Sequence, residues 1–391
     1  MAIDQLQLES ALNAIIDPEL GLPLGQIGFL REVKARRRRA RIEVALPVAA
    51  WPTSDELADE IHRVAQAVPG VEEIEFDLTV MNDEERAALR ITLRTEMVGA
   101  AALEEPEDDG HGHGHGGHGH GEEGASAAFL EADSATRVIG VSSGKGGVGK
   151  STVTVNLAIA LAQAGYRVGL LDADVYGFSV PKMLGADHDP IILGDVVLPT
   201  LAHGVRCLSM GYFVPDDQPV IWRGPMLHKA IQQFLTDAYW GEPDFVLVDM
   251  PPGTGDVALT LAQVMPRAEV IVVTTPQPAA QRVAQRSAFA ARRLKLSVRG
   301  VVENMSWFTG DDGKRYELFG SGGGSTVAAD LGVPLLGQVP LVSAVRQGGD
   351  EGRPAMVFDP DGEAAVSFRA IASKLSSLGP ARVYRKELTL S

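Results

Sequence analysis

One stretch limits what this chain can fold into more than any other: Ser143-Gly144-Lys145-Gly146-Gly147-Val148-Gly149-Lys150-Ser151-Thr152. An apolar run at 138–141 precedes it and another at 153–164 follows it. Strand, glycine loop and helix in that order make a cradle for phosphate. Glycines let backbone N–H groups approach an anion closely, and the helix N-terminus adds the positive end of its dipole. In such a cradle Lys150 reaches the β- and γ-phosphates and the Ser151 hydroxyl holds Mg2+. The same letters also satisfy a dinucleotide-binding pattern through Gly144, Gly146 and Gly149, with an acid at Asp172 roughly where a ribose ligand falls, about 20 residues on. A dinucleotide loop has no use for a lysine–hydroxyl pair at its end, so the triphosphate reading is preferred.

The length of 391 residues suits about two domains. The balance of 35 basic to 51 acidic residues, net −16, argues against a general affinity for nucleic acid. No apolar run approaches the ~18–20 residues of a membrane span, and residues 1–10 carry no secretory pattern. The single cysteine, Cys207, cannot form an intramolecular disulfide, which fits a reducing, cytoplasmic setting. Alone it cannot supply the usual cysteine set of a metal cluster. It lies in an apolar run, 205–210, and is expected to be a buried core thiol.

Residues 1–99 are expected to form a small α+β domain. Helical spacing covers 6–16, 54–67 and 83–94, with Ser54 as the N-cap of the middle helix. Strands are expected at 29–34, 41–46 and 71–80, the first two a hairpin joined by Arg36-Arg37-Arg38-Arg39. That basic run is either a solvated tip or a docking patch for an acidic partner. Composition then shifts to acids followed by His111, His113, His115, His118 and His120, spaced by glycine. Such a stretch cannot bury a core, so 100–135 is expected to be a disordered linker. Its histidines are either a loose site for Zn2+, Ni2+ or Cu2+, or part of a solvated spacer.

Residues 136–391 are expected to form an α/β domain, a doubly wound, mostly parallel sheet. Strands are expected at 137–141, 167–171, 245–248, 270–274, 298–302 and 335–338. Helices are expected at 152–164, 226–238, 257–264 and 278–294. Acids stand at strand ends, where ligands bind such sheets. Asp172 and Asp174 follow one strand, and Asp249 ends another at the position of a Walker-B acid. Pro251-Pro252-Gly253-Thr254-Gly255-Asp256 follows at once and suits a loop that rearranges when a phosphate leaves.

The loop Gly-Lys-Gly-Gly-Val-Gly-Lys-Ser, with Lys145 inside it, resembles the deviant Walker A of the MinD/Mrp ATPases. The specific likeness is to Mrp-type iron–sulfur cluster carrier proteins. It rests on Trp222-Arg223-Gly224-Pro225-Met226, the string from Asp249 to Asp256, Thr275-Pro276-Gln277 and Glu303-Asn304-Met305-Ser306. Residues 1–99, with Asp17-Pro18-Glu19, resemble the iron–sulfur-assembly domain that precedes many such ATPases. The resemblance implies an ATP- and Mg2+-dependent ATPase that transfers clusters to apoproteins. Its partners would be a second copy of itself and client or assembly proteins, with neither nucleic acid nor membrane. Gly144 through Thr152 would bind the nucleotide. Lys145 would reach across the dimer to the partner's phosphates, and Asp174 would orient the attacking water. Ser151 with Asp172 or Asp249 would serve Mg2+, and Asn304 would read the adenine edge.

The sequence departs from that family at the cargo site. Carriers of this type place C-x-x-C just after Asn-Met-Ser, and Gly310 and Gly313 stand at those positions here. Glycine offers no thiolate, and thiolates hold iron–sulfur clusters. In the small domain Trp51 replaces the usual cysteine before Pro52. Three functions remain open: a carrier that binds its cluster weakly, through histidine or jointly with a partner; a cluster-free ATP-dependent assembly factor; and a MinD/ParA-like positioning ATPase. The short mixed segment at 381–387 offers no amphipathic basic helix for the last.

Overall fold

A computed structural model describes residues 2–98, 128–131, 134–174, 177–186, 188–213, 224–253 and 255–380. His111, His113, His115, His118, His120, Trp222, Arg223, Thr254 and the 381–387 segment lie outside the described residues. The chain divides into two compact units: Met1–Ser126 with Ile192–Leu198, and Ala127–Ile191 with Pro199–Ser391.

The first unit begins with helices α1 (Gln5–Asn13) and α2 (Leu24–Ile27), then strands β1 (Leu30–Arg36) and β2 (Arg39–Leu46). Helix α3 (Ser54–Ala67), strand β3 (Glu73–Val80) and helix α4 (Asp83–Val98) follow. The strands form one sheet in the order β1-β2-β3, the first pair antiparallel and the second parallel. Leu57, Ile61 and Ala65 recur at helical spacing on α3 and are fully buried, as are Ile42 and Val44 of β2.

Two local expectations are corrected. The β1–β2 connection is not the whole run 36–39. Arg36 and Arg39 pair within the ladder, leaving Arg37 and Arg38 as the turn, with Arg37 at φ 60°. Tight hairpin loops adopt left-handed backbone because it matches the twist of the strands, and the register overrides arginine's reluctance to enter that region. Ser54 is the first residue of α3, not its cap. Thr53 occupies the cap without a side-chain hydrogen bond, and Asp55 and Glu56 in the first turn complement the helix dipole instead.

The remaining elements begin with β4 (Arg137–Ser143), α5 (Lys150–Gln163), β5 (Val168–Asp172) and α6 (Val180–Leu184). Short strands follow: β6 (Ile191–Leu193), β7 (Val196–Leu198), β8 (Thr200–Ala202) and β9 (Val205–Ser209). Then come α7 (Gly224–Asp237), β10 (Phe245–Asp249), α8 (Asp256–Val264), β11 (Glu269–Thr274), α9 (Pro278–Arg293) and β12 (Ser297–Glu303). A small hairpin, β13 (Phe308–Thr309) and β14 (Arg315–Tyr316), precedes α10 (Gly323–Leu331) and β15 (Leu335–Gln338). Helices α11 (Ser343–Asp350), α12 (Ala355–Phe358) and α13 (Glu363–Ser377) complete the described chain.

The main sheet has eight strands in the order β15-β12-β11-β4-β10-β5-β9-β8. Every neighbouring pair is parallel except β8–β9. The expected doubly wound sheet is therefore present. Its central strands β4, β5, β10 and β11 are buried at every residue, which is why they carry near-continuous apolar runs rather than alternation. Helix α5 is buried along Val153–Leu161, apolar there except for Thr154 and Asn156, and Phe368, Ile371 and Leu375 of α13 belong to the same core.

Candidate functional site

The register of the sheet assembles the site. Asp249 pairs directly with Asp172 across the β10–β5 ladder, and Asp172 pairs with Ser209 across β5–β9. Three strands thus end together and deliver two carboxylates and a hydroxyl beside the loop that follows β4. Both aspartates are 0% exposed.

Close packing explains two of the loop's glycines. A side-chain carbon on Gly144 would sit 2.1 Å from the backbone carbonyl carbon of Val283, because α9 lies against the loop. At Gly149, φ is +76° and the same carbon would fall 2.2 Å from Asn304 Nδ2. The loop then enters α5, which brings Lys150, Ser151 and Thr154 to the carboxylates. Lys150 Nζ donates to Asp249 Oδ2 at 2.5 Å and lies 3.8 Å from Asp174 Oδ2. Ser151 Oγ donates to the same Asp249 oxygen at 2.6 Å, and Thr154 Oγ1 lies 2.7 Å from Oδ1.

Asp172 has a different role in the cluster. Its Oδ1 accepts from Asp174 N at 3.2 Å, and its Oδ2 accepts from Ser209 Oγ at 3.1 Å. Burial, reinforced by the charge of Asp249, pushes its carboxyl up to about 8. A cation bound beside the two carboxylates would favour the ionised form of Asp172. Cys207 lies on β9, 0% exposed, and burial followed by the Asp172 charge pushes its thiol well up. It is a core thiol, not a thiolate ligand.

Lys145 is exposed, and its carbonyl accepts from Ser143 Oγ at 3.0 Å. Asn304 is buried at the end of β12, where its Nδ2 donates to Val148 O at 2.9 Å. It lines a cavity of about 420 Å3 with Gly149, Thr152, Phe178, Met183 and Met305. The apolar wall continues through Leu341, Val342 and Val345. The size and mixed lining suit a planar heterocycle next to the phosphate cradle. Gly253 N donates to Ser143 O at 2.8 Å, which ties the proline–glycine loop to the end of β4.

Sequence reasoning missed Thr154, Ser209 and the wall of this cavity. Thr154 was accessible in principle, since a residue four after Lys150 shares its helix face. The 341–345 segment has no motif to announce it.

Residues 134–376 match a family model described as NUBPL iron-transfer P-loop NTPase. The chain belongs to that family. A second model, described as iron-sulfur cluster assembly protein, matches residues 6–76 of this NUBPL-type NTPase. The iron-sulfur cluster carrier protein of Mycobacterium tuberculosis (strain ATCC 25618 / H37Rv) is 42% identical over 377 residues, 95% of this chain and 92% of that protein. The protein of the same name from Bacillus subtilis (strain 168) is 37% identical, covering 86% of this chain and 87% of its own length. Among solved structures, a nucleotide-binding protein from Archaeoglobus fulgidus in complex with ADP is similar, with a TM-score of 0.51 and 31% identity. It covers 64% of this chain and 94% of its own.

In this NUBPL-type NTPase, Gly310 and Gly313 form the tip of the β13–β14 hairpin. Gly310 N donates to Lys314 O and Gly313 N to Gly310 O, both at 2.9 Å. Gly313 has φ +74°. Asp312 closes the turn, accepting from Lys314 N at 3.0 Å and from the Tyr316 hydroxyl at 2.9 Å. Among the described residues, no group of three or more His, Cys, Asp or Glu is placed to hold a metal ion.

Proposed function

We propose that this chain binds and hydrolyses Mg–ATP as a dimer and uses that cycle to pass iron–sulfur clusters to apoproteins. The observation that carries the nucleotide half is the cluster of Lys150, Ser151 and Asp249 at the mouth of a glycine loop, with Asp172 beside it. The curated relatives' name, iron-sulfur cluster carrier protein, supports the cargo half.

Backbone N–H groups of Gly144 to Thr152 cradle the phosphates. Lys150 exchanges Asp249 for the β/γ-phosphate oxygens. The donor set of Ser151 Oγ, Asp249 and Asp172 fits a hard cation, because it offers only oxygens and the phosphate and water supply the rest. Mg2+ held there would neutralise charge on the phosphate oxygens. Asp174 orients the attacking water. Lys145, exposed on the loop, reaches the phosphates of the opposite copy and meets the charge that develops in the transition state. Asn304 and the apolar cavity take the base.

Cluster binding needs thiolates. Within this chain the only cysteine is the buried Cys207. The cluster's thiolates therefore come from a client or assembly protein, and this chain supplies the nucleotide-driven half of a shared site. A cluster-free assembly factor is the second reading, favoured by the closed turn at Gly310 and Gly313. Calorimetric titration of the full chain with Mg–ATP tests the nucleotide half. Binding is expected in the wild type and lost in Lys150→Ala; an unaffected Lys150→Ala variant contradicts the assignment.

A further inference from the structure

Glu303, the last residue of β12, is 0% exposed. The mechanism above gives it no task, yet its carboxylate is fully engaged. Oε1 accepts from Ser306 Oγ at 2.9 Å and from Gln338 Nε2 at 2.5 Å. Oε2 accepts from Gly324 N at 2.5 Å. Among the described residues it makes no ion pair; the N-terminus of α10 supplies the positive partial charge it needs. Gly324 is matched to this approach, since a side-chain carbon there would lie 2.6 Å from Glu303 Cβ.

These contacts have a consequence for two places at once. Ser306 and Gly324 flank the chain excursion 307–322, which carries the β13–β14 hairpin and the exposed Phe308, Tyr316 and Leu318. One carboxylate therefore grips both feet of that excursion. The next residue, Asn304, grips the phosphate loop through Val148 O, and its own N–H is fixed by Thr274 O at 2.8 Å. Between Asn304 and Ser306, Met305 is held at φ 57°, a conformation an unbranched side chain tolerates only when its surroundings impose it. The turn 303–306 is thus a short rigid piece whose front touches the nucleotide loop and whose back holds the hairpin's base.

We infer that Glu303 is a positioning residue. It sets Asn304 for the nucleotide and transmits nucleotide occupancy to the excursion 307–322. The inference rests on the nucleotide reading of the glycine loop. Glutamine at 303 keeps the shape but removes the charge and turns one acceptor into a donor: toward Gly324 N it meets a fixed donor, and toward Ser306 and Gln338 it fits only if the hydroxyl and the amide turn round to accept.

The test uses the full chain as wild type, Glu303→Gln, Asn304→Ala and the double variant, titrated with a non-hydrolysable Mg–ATP analogue. Glu303→Gln is expected to weaken binding about tenfold, the size of one lost hydrogen bond to a charged group. Because Glu303 acts through Asn304, the double variant should be no weaker than the weaker single. Hydrogen exchange across 307–322 provides the second readout. Saturating analogue should change protection there in the wild type and leave it unchanged in Glu303→Gln, a difference that a purely structural role would not produce. If Glu303→Gln fails to fold, Ser306→Ala, which frees one foot only, carries the same exchange measurement. Wild-type affinity in Glu303→Gln, or an identical exchange response in both proteins, overturns the inference while leaving the nucleotide reading intact. A wild type that does not bind the analogue removes that reading itself.

Discussion

The glycine loop and the β13–β14 hairpin both follow strands of one sheet and both depend on glycine, but what presses on their glycines differs. At the loop, Gly144 and Gly149 are required by what lies against them: the α9 backbone and Asn304. At the hairpin, a side-chain carbon on Gly310 would meet only side chains of the hairpin itself, 2.9 Å from the Tyr316 ring, while Gly313 has nothing within 4 Å and only its φ of +74° favours glycine. The charges differ in the same way. Asp249 and Lys150 are buried and share hydrogen bonds with two hydroxyls, whereas the Lys314–Asp312 pair is well exposed. Buried charge is costly unless it is paired and hydrogen-bonded; exposed turn charge is worth little. The hairpin of this chain is built as a turn and carries no cysteine.

The variants that test this contrast differ widely in expected effect. Lys145→Ala should lower ATP turnover by roughly 10³-fold, the scale of a cation aimed at transferring phosphate, while nucleotide affinity stays within about twofold of wild type. Single-turnover and binding assays on the same preparation check it; unchanged turnover would remove the dimer mechanism. Gly144→Ala comes next, because backbone of α9 must move. It should cost about 1–3 kcal/mol of stability, or more, together with most of the nucleotide binding. Denaturant titration measures the first quantity.

Asp172 gives the third prediction. Its folded value, about 8, lies above the unfolded carboxylate range, so the folded state binds the extra proton between roughly pH 4 and pH 8. Stability of the nucleotide-free protein should therefore fall as pH rises through that window and level off above it. Asp172→Asn should flatten that part of the profile in thermal unfolding scans, whereas a slope of opposite sign would contradict the burial argument. The smallest effect belongs to the hairpin. Gly313→Ala should cost about 1 kcal/mol, through φ alone, and leave ATP turnover unchanged.

Much of the nucleotide half was legible in the sequence, because its determinants are local. A glycine loop between apolar runs names its own fold, and an acid at the end of a buried strand lands at the carboxyl edge of a parallel sheet. The Asp249–Asp172 pairing was not legible, since it depends on the lateral order of β10 and β5. The cavity beside Asn304 was hidden for a related reason: Phe178, Met305 and Leu341 come from three distant segments and read individually as core. Glu303 stood in plain view beside Asn304, but its hydrogen bonds to Gly324 and Gln338 arise only after α10 and β15 have packed. At Ser54 and at 36–39 the errors were of one or two residues, where tertiary register set the boundary and propensity did not.

Anaerobic reconstitution of the isolated wild-type chain with iron and sulfide tests the central claim most directly, with iron content and cluster absorbance measured on protein that also turns over ATP. The account predicts active ATPase with sub-stoichiometric, labile iron, because Gly310, Gly313 and the buried Cys207 leave the chain without an accessible thiolate pair. A defined cluster absorbance with near-stoichiometric iron on that protein would contradict it.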